Sequence, residues 1–231
     1  MTIPFTENTL VKDIVNELPK SSDVFKRSRI DFCCGGNIPL KEAATGAGVS
    51  LDKLIGDLTE VYEKRETGEI DWKAWMDKES NDIINHVIDK YHRPLLEELA
   101  NLSPYVTKVS RVHGGNHPEL LTMYELFYEF KKEMLEHAAK EEELVFPLIQ
   151  KLEGLNEDER QEALNFIREL EKEHDHAGSL LKELRNVTSD FNPPMDACGT
   201  YRLVYKRLEM LEGETFNHVH MENNILFPRY L

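Results

Sequence analysis

Apolar residues recur at helical spacing along most of the chain. Leu10, Val11, Ile14, Val15 and Leu18 form a first stripe, ended by Pro19. Ser21 or Ser22 is placed to cap a second short helix carrying Val24 and Phe25. After a turn with two glycines, Pro39 opens a third helix over residues 41–47, and a fourth follows Ser50 with Leu51, Leu54, Ile55, Leu58 and Val61 as its buried stripe. Residues 66–78 have no clear period, and Gly68 with mixed charges predicts a linker, docked through Trp72 and Trp75. Four long helical patterns then cover residues 80–102, 118–146, 157–188 and 196–227. Their breaks fall at Pro104, at Gly114 and Gly115, at Gly154, and at Asn192, Pro193 and Pro194. Each is long enough to cross a bundle. The expected fold is all-α: a small helical domain over residues 1–65, a linker over 66–78, and an antiparallel four-helix bundle over 79–231.

Two of the long helices carry the same stretch. His137-Ala-Ala-Lys-Glu141-Glu-Glu-Leu144-Val-Phe146-Pro147 aligns with His218-Val-His-Met-Glu222-Asn-Asn-Ile225-Leu-Phe227-Pro228. Residues four apart on a helix stand on one face, so each copy aims an imidazole and a carboxylate at one point. Leu144 and Ile225 are expected to continue that face as apolar, directing the pairs into the core. A buried carboxylate without a partner is costly, and a metal ion compensates for two of them at once. A His–Glu pair at this spacing is often only a solvated helix pair, but two copies with one tail predict a dinuclear site.

The facing helices offer the remaining donors. His92 shares its face with Ile88, Leu95, Leu96 and Leu99, whereas His86 sits among Asp82, Asp89, Lys90 and Arg93. His174 shares its face with Ile167, Leu170, Ala177 and Leu181, whereas His176 lies among Glu169, Lys172, Ser179 and Glu183. The expected ligands are His92, His137, Glu141, His174, His218 and Glu222, with both glutamates shared between two metals. Such a set suits iron, manganese or zinc, and ligand type alone does not choose among them. Glu142 and Glu143 are expected in solvent or just outside the ligands. Pro94 predicts a kink beside His92. His113 and His117 are expected in a surface loop, and His220 off the metal face.

The formal charge of −15 argues against nucleic acid or an anionic membrane surface as partner. No apolar core of useful length precedes Asp13, and no apolar run is long enough to span a bilayer, so a cytoplasmic protein is expected. Three cysteines make no disulfide framework. Cys33-Cys34-Gly35-Gly36 is the second chemical feature: a glycine turn beside a helix can expose thiols and lower their pKa, while burial as two small hydrophobes is the bland alternative. Cys198 is expected to be structural.

These residues together resemble a known family. The paired motifs with a core histidine on each remaining helix are similar to the hemerythrin-like bundle. Asp31-Phe-Cys33-Cys34-Gly35-Gly36 resembles the short domain in front of that bundle in the repair-of-iron-centres (RIC, ScdA-like) proteins. The resemblance implies two non-haem iron ions, bridged by glutamate with room for an oxo bridge. It implies help in repairing iron–sulfur clusters damaged by oxidative or nitrosative stress, with supply of iron as the means. Damaged iron–sulfur proteins are then the acceptors, and Cys33 and Cys34 the redox or iron-transfer thiols. Nitric oxide reduction at the di-iron centre and an oxygen-binding or sensing module are the alternatives, so enzymatic turnover and a homodimer both stay open. The chain departs from oxygen-carrying hemerythrins in two places. Gly178 stands where they have a further histidine, and the fourth-helix carboxylate is Glu222, four residues after His218 rather than an aspartate five after. Both departures favour reactive or releasable iron over reversible oxygen carriage.

Overall fold

The computed structural model describes residues 3–64, 71–154 and 156–231. Among them it is helical, with one isolated antiparallel bridge between Leu10 and Pro39. The chain forms two compact units. One comprises residues up to Glu79 together with Val219–Tyr230, and the other Ser80–His218 with Leu231. The last turns of the fourth long helix thus belong with the N-terminal residues.

In the first unit, α1 (Val11–Glu17), α2 (Ser21–Arg27), α3 (Leu40–Gly46) and α4 (Leu51–Glu63) follow the four predicted stripes. Ser50 caps α4 through Lys53 N–H. Neither Ser21 nor Ser22 caps α2: its N-cap is Lys20, and Ser21 is buried inside the first turn. Of the stretch expected as a linker, residues 66–70 lie outside the described residues. Trp72–Met76 forms a short helix, α5, capped by Asp71, with Trp72 buried. Trp72 packs against the ring of His220. Arg229 donates to the carbonyls of Trp75, Met76 and Lys78.

The second unit holds the bundle. Its first helix is built from α6 (Ser80–His86), a π-helical turn (Val87–His92) and α7 (Arg93–His113). The second is α8 (Glu119–Lys140), a π turn (Glu141–Val145) and α9 (Phe146–Lys151). The third is α10 (Glu157–Val187), opened by a capping box between Asn156 and Glu159. The fourth is α11 (Gly199–Met221), which runs on into a π turn (Glu222–Leu226). Cross-helix pairs establish the antiparallel order. Ser103 meets Lys131 while Thr107 meets Tyr128, Lys140 meets Glu169 while His176 meets Glu129, and His113 meets Cys198 while Glu98 meets Arg207. Leu99, Leu102, Val106, Phe127, Phe130, Leu181, Tyr201 and Leu208 form the shared core.

Pro104 does not end the first helix, which continues to His113. Its ring removes one donor, but the carbonyl left over belongs to exposed Ala100, and the adjoining Ser103 carbonyl accepts from Tyr128 Oη at 3.3 Å. The kink expected at Pro94 takes the form of a π turn. A proline lacks an N–H and crowds the carbonyl four residues back. One added residue in the preceding turn removes both conflicts, because the residue before proline then bonds five back. Arg93 N–H reaches Ile88 O, Phe146 N–H reaches Glu141 O and Phe227 N–H reaches Glu222 O, each immediately before Pro94, Pro147 and Pro228. This shift overturns the expectation for Leu144, which is 38% exposed while Val145 is fully buried. Ile225 is buried as expected.

Near the end of the bundle opposite these turns, Arg185 on α10 clamps the buried Glu212 on α11, with Nε to Oε1 at 2.7 Å and the second oxygen held by a terminal nitrogen. Removing one partner of a buried pair leaves an uncompensated charge. Glu212→Ala is therefore expected to destabilise the protein by about 3–5 kcal/mol, read as a lower urea midpoint. A loss below about 1 kcal/mol, the range of exposed pairs, would show the clamp to be unimportant.

Candidate metal centre

The six predicted ligands are all buried, none more than 4% exposed. His92 ends the π turn of the first helix, Glu141 starts that of the second, and Glu222 starts that of the fourth. The wide turns therefore sit at the ligands, a frequent place for them. His174 comes from the unbroken α10, and His218 lies one turn before Glu222 on a continuous helical path.

The donors form two groups that share the glutamates: His92, Glu141, His218 and Glu222, and His137, Glu141, His174 and Glu222. Within each, the ligand atoms lie within 4.8 Å of one another. His92 Nε2 is 3.2 Å from His218 Nε2, and His174 Nε2 is 2.9 Å from His137 Nε2. Glu141 Oε2 stands between the groups, 3.1 Å from His92 Nε2 and 3.3 Å from His137 Nε2. Donors about 2.1 Å from one ion are about 3.0 Å apart at a right angle and about 3.4 Å apart at a tetrahedral angle. The spacings fit a shared cation.

The outer ring nitrogens point the same way. His92 Nδ1 meets Glu142 Oε1 at 2.8 Å, and His137 Nδ1 meets Glu173 Oε2 at 2.9 Å. A carboxylate accepts, so each imidazole donates from Nδ1 and keeps the Nε2 lone pair for the interior. The π turn allows two consecutive glutamates, Glu141 and Glu142, to reach opposite nitrogens of one ring. Glu173 is held in turn by Lys140, and the hydrogen bond from His137 lowers its carboxyl to about 2, with Lys140 adding to the effect. Tyr91 stacks on His218 with ring centroids 5.5 Å apart. Of these outer partners, helical spacing alone points only to Glu142, as a charged neighbour of the ligands. Glu173 is visible as the residue before His174, but its orientation depends on α8.

The other histidines lie elsewhere. His176 is half-exposed, and His86 lies edge-on to Tyr91 outside both donor groups. His117 bonds Asp196 and Glu119 near the far end of the bundle. His220 points off the metal face and is fully buried, with Nε2 donating to Asn16 Oδ1 at 2.8 Å and Nδ1 accepting from Asn224. Burial pushes it down to about 4, which keeps it neutral.

Cys33 is buried and Cys34 half-buried, and neither is in a disulfide. The Cys33 thiol is pushed well up, first by its hydrogen bond with Cys34, then by burial and by Asp31. The glycine turn thus does not lower it. Cys198 is exposed, 3.3 Å from His113 Nε2, rather than part of the core.

This arrangement matches known proteins. The family model described as the Hemerythrin HHE cation binding domain matches residues 83–230. The ScdA_N domain, described as a domain of unknown function (DUF542), matches residues 7–62. An iron-sulfur cluster repair protein ScdA from Staphylococcus haemolyticus is 41% identical over 97% of this chain and 99% of its own length. An iron-sulfur cluster repair protein YtfE from Enterobacter sp. is 32% identical over 95% of this chain and 94% of its own. The chain belongs to the ScdA/YtfE family. In this ScdA/YtfE chain, the hemerythrin-like match contains all six buried donors, and the ScdA_N match contains both adjacent cysteines. Among the described residues, no helix is long and apolar enough to cross a membrane.

The outer carboxylates generate a prediction. Glu142→Gln and Glu173→Gln keep the shape but replace an anion that orients a ligand, so each is expected to weaken metal binding by about 10–100-fold. Competition against a chelator measures this. Unchanged affinity in both variants would mean that the imidazoles are oriented by packing alone.

Proposed function

We propose that this protein helps repair iron–sulfur clusters damaged by oxidative or nitrosative stress in the bacterial cytoplasm, by supplying iron. The carrying observation is the buried set of four imidazoles and two carboxylates in a chain similar over nearly its whole length to iron–sulfur cluster repair proteins. His92 and His218 hold one iron, His137 and His174 the other, and Glu141 and Glu222 bridge them, with room for an oxo bridge. Bound there, the ions supply both releasable iron and one-electron chemistry. The protein residues fix the imidazoles as neutral donors, through Glu142 and Glu173, and exclude water by burial. One turn after His174, Gly178 offers no further donor, and a Cβ there would meet nothing within 4 Å. The His137–His174 side therefore has no third imidazole, which favours release. Cys33 and Cys34 serve as redox or transfer thiols, and damaged iron–sulfur proteins are the acceptors.

A second reading is reduction of nitric oxide at the same centre. It is favoured by a cavity of about 350 Å³ between the first and fourth helices, which reaches His218 past Tyr91, Leu95 and Leu211. A small ligand fits this approach. Anaerobic protein that consumes nitric oxide over many turnovers with an electron donor, forming nitrous oxide and water, would support this reading over supply alone.

Anaerobically purified protein is expected to hold two irons per chain and to restore activity to an apo iron–sulfur enzyme as its own iron falls. His92→Ala and His218→Ala are expected to lose iron, while His86→Ala and His176→Ala stay near wild type. Tight binding of a single zinc with no iron, or full iron with no transfer, would sink the proposal.

A further inference from the structure

We propose that Asp31, Cys33 and Cys34 form a second metal site, separate from the histidine–glutamate centre, for one thiophilic divalent ion such as Fe²⁺ or Zn²⁺. The three side chains bring one ligand atom each to within 4.8 Å of one another. Their spacing is more specific than their proximity. Two thiolates about 2.3 Å from a tetrahedral ion are about 3.8 Å apart, and a thiolate and a carboxylate oxygen about 2.0 Å from it are about 3.5 Å apart. Cys33 Sγ lies 3.7 Å from Cys34 Sγ and 3.4 Å from Asp31 Oδ1. These are two edges of that tetrahedron. A disulfide instead needs sulfurs about 2.05 Å apart.

The turn is built to keep this shape. Asp31 Oδ1 accepts the backbone N–H of both Cys33 and Cys34, at 3.2 and 3.0 Å. Asn224 Nδ2 donates to the Cys33 carbonyl at 2.9 Å, and Lys12 N–H donates to Gly36 O at 2.9 Å. A Cβ at Gly36 would lie 2.3 Å from the carbonyl oxygen of Phe32, so only glycine fits the close return of the chain. Ligands held by their own backbone contacts need little ordering when an ion arrives.

Two thiolates select iron or zinc over magnesium or calcium. Binding replaces the two thiol protons, which leave to solvent, and no electron moves. Three protein donors leave a fourth tetrahedral position open, as in sites that exchange ligands rather than in closed structural ones. On the iron-supply reading, to which this adds but on which its test does not depend, the site is where an ion is handed on.

The probe is Co²⁺, added anaerobically to reduced full-length protein with no acceptor present. A near-ultraviolet thiolate-to-cobalt band is expected, saturating with one ion per chain and absent from Cys33→Ser/Cys34→Ser, whose His/Glu centre keeps its metal. Asp31→Asn is expected to weaken the band's affinity about tenfold or more. No band in the wild-type protein, or a band that survives the double substitution, overturns the site. Should the double variant not fold, X-ray absorption of zinc-loaded wild-type protein decides: sulfur at about 2.3 Å supports the site, and no sulfur overturns it. Either result stands apart from iron transfer to an apo enzyme, which tests the repair reading.

Discussion

The structure depends on the burial of groups that water would otherwise hold. His92, His137, His174 and His218 bring four imidazoles, and Glu141 and Glu222 bring two carboxylates, into the interior. Ionised carboxylates left uncompensated cost far more to bury than a small domain can offset. Lone pairs on facing Nε2 atoms, 2.9 and 3.2 Å apart, repel unless a proton or a cation stands between them. A cation solves both difficulties at once, and the outer carboxylates Glu142 and Glu173 fix which nitrogen is available to it.

Ordinary α-geometry does not deliver every ligand to this point. Three of the four helices are widened by one residue at the site, and each widening precedes a proline. The proline supplies a local reason for a π turn that would otherwise be a poorer use of hydrogen bonds. On the second helix the result places Glu141 on Nε2 and Glu142 on Nδ1 of the same His92 ring. On the fourth it places Glu222 among the metal donors while Asn224, on the same turn, holds the Cys33 carbonyl.

Much of the site is legible in the sequence because it is local. The His–Glu spacing of four, twice over, needs only helical periodicity, and the residues around His92 and His174 distinguish them from His86 and His176. What escapes depends on contacts across the fold. Glu173 reads as one more charge in an acidic helix until α8 brings His137 to it. His220 reads as an off-face residue, but its burial against Trp72 and Asn16 depends on residues far away in the chain. Hydrophobic periodicity misplaces Leu144 because it assumes a constant turn. The Phe-Pro that ends each motif is the available signal of the extra residue. Pro104 misleads in the opposite direction, since one exposed carbonyl without a helical partner is tolerable within a long helix.

The wide turns also constrain how this chain can change in length. Each is an α-helical turn carrying one surplus residue, so deleting a residue from Glu141–Val145 would restore regular winding and rotate everything after it by about 100°. Val145 and Phe146 would leave the core together, and the proline would regain its clash. A loop such as Gly114–Gly115 can lengthen or shorten at small cost, but these three helices cannot. In descendants of this chain, gaps are excluded from the interior of the helices by the same geometry that assembles the donors, and substitution is the only kind of change left open there.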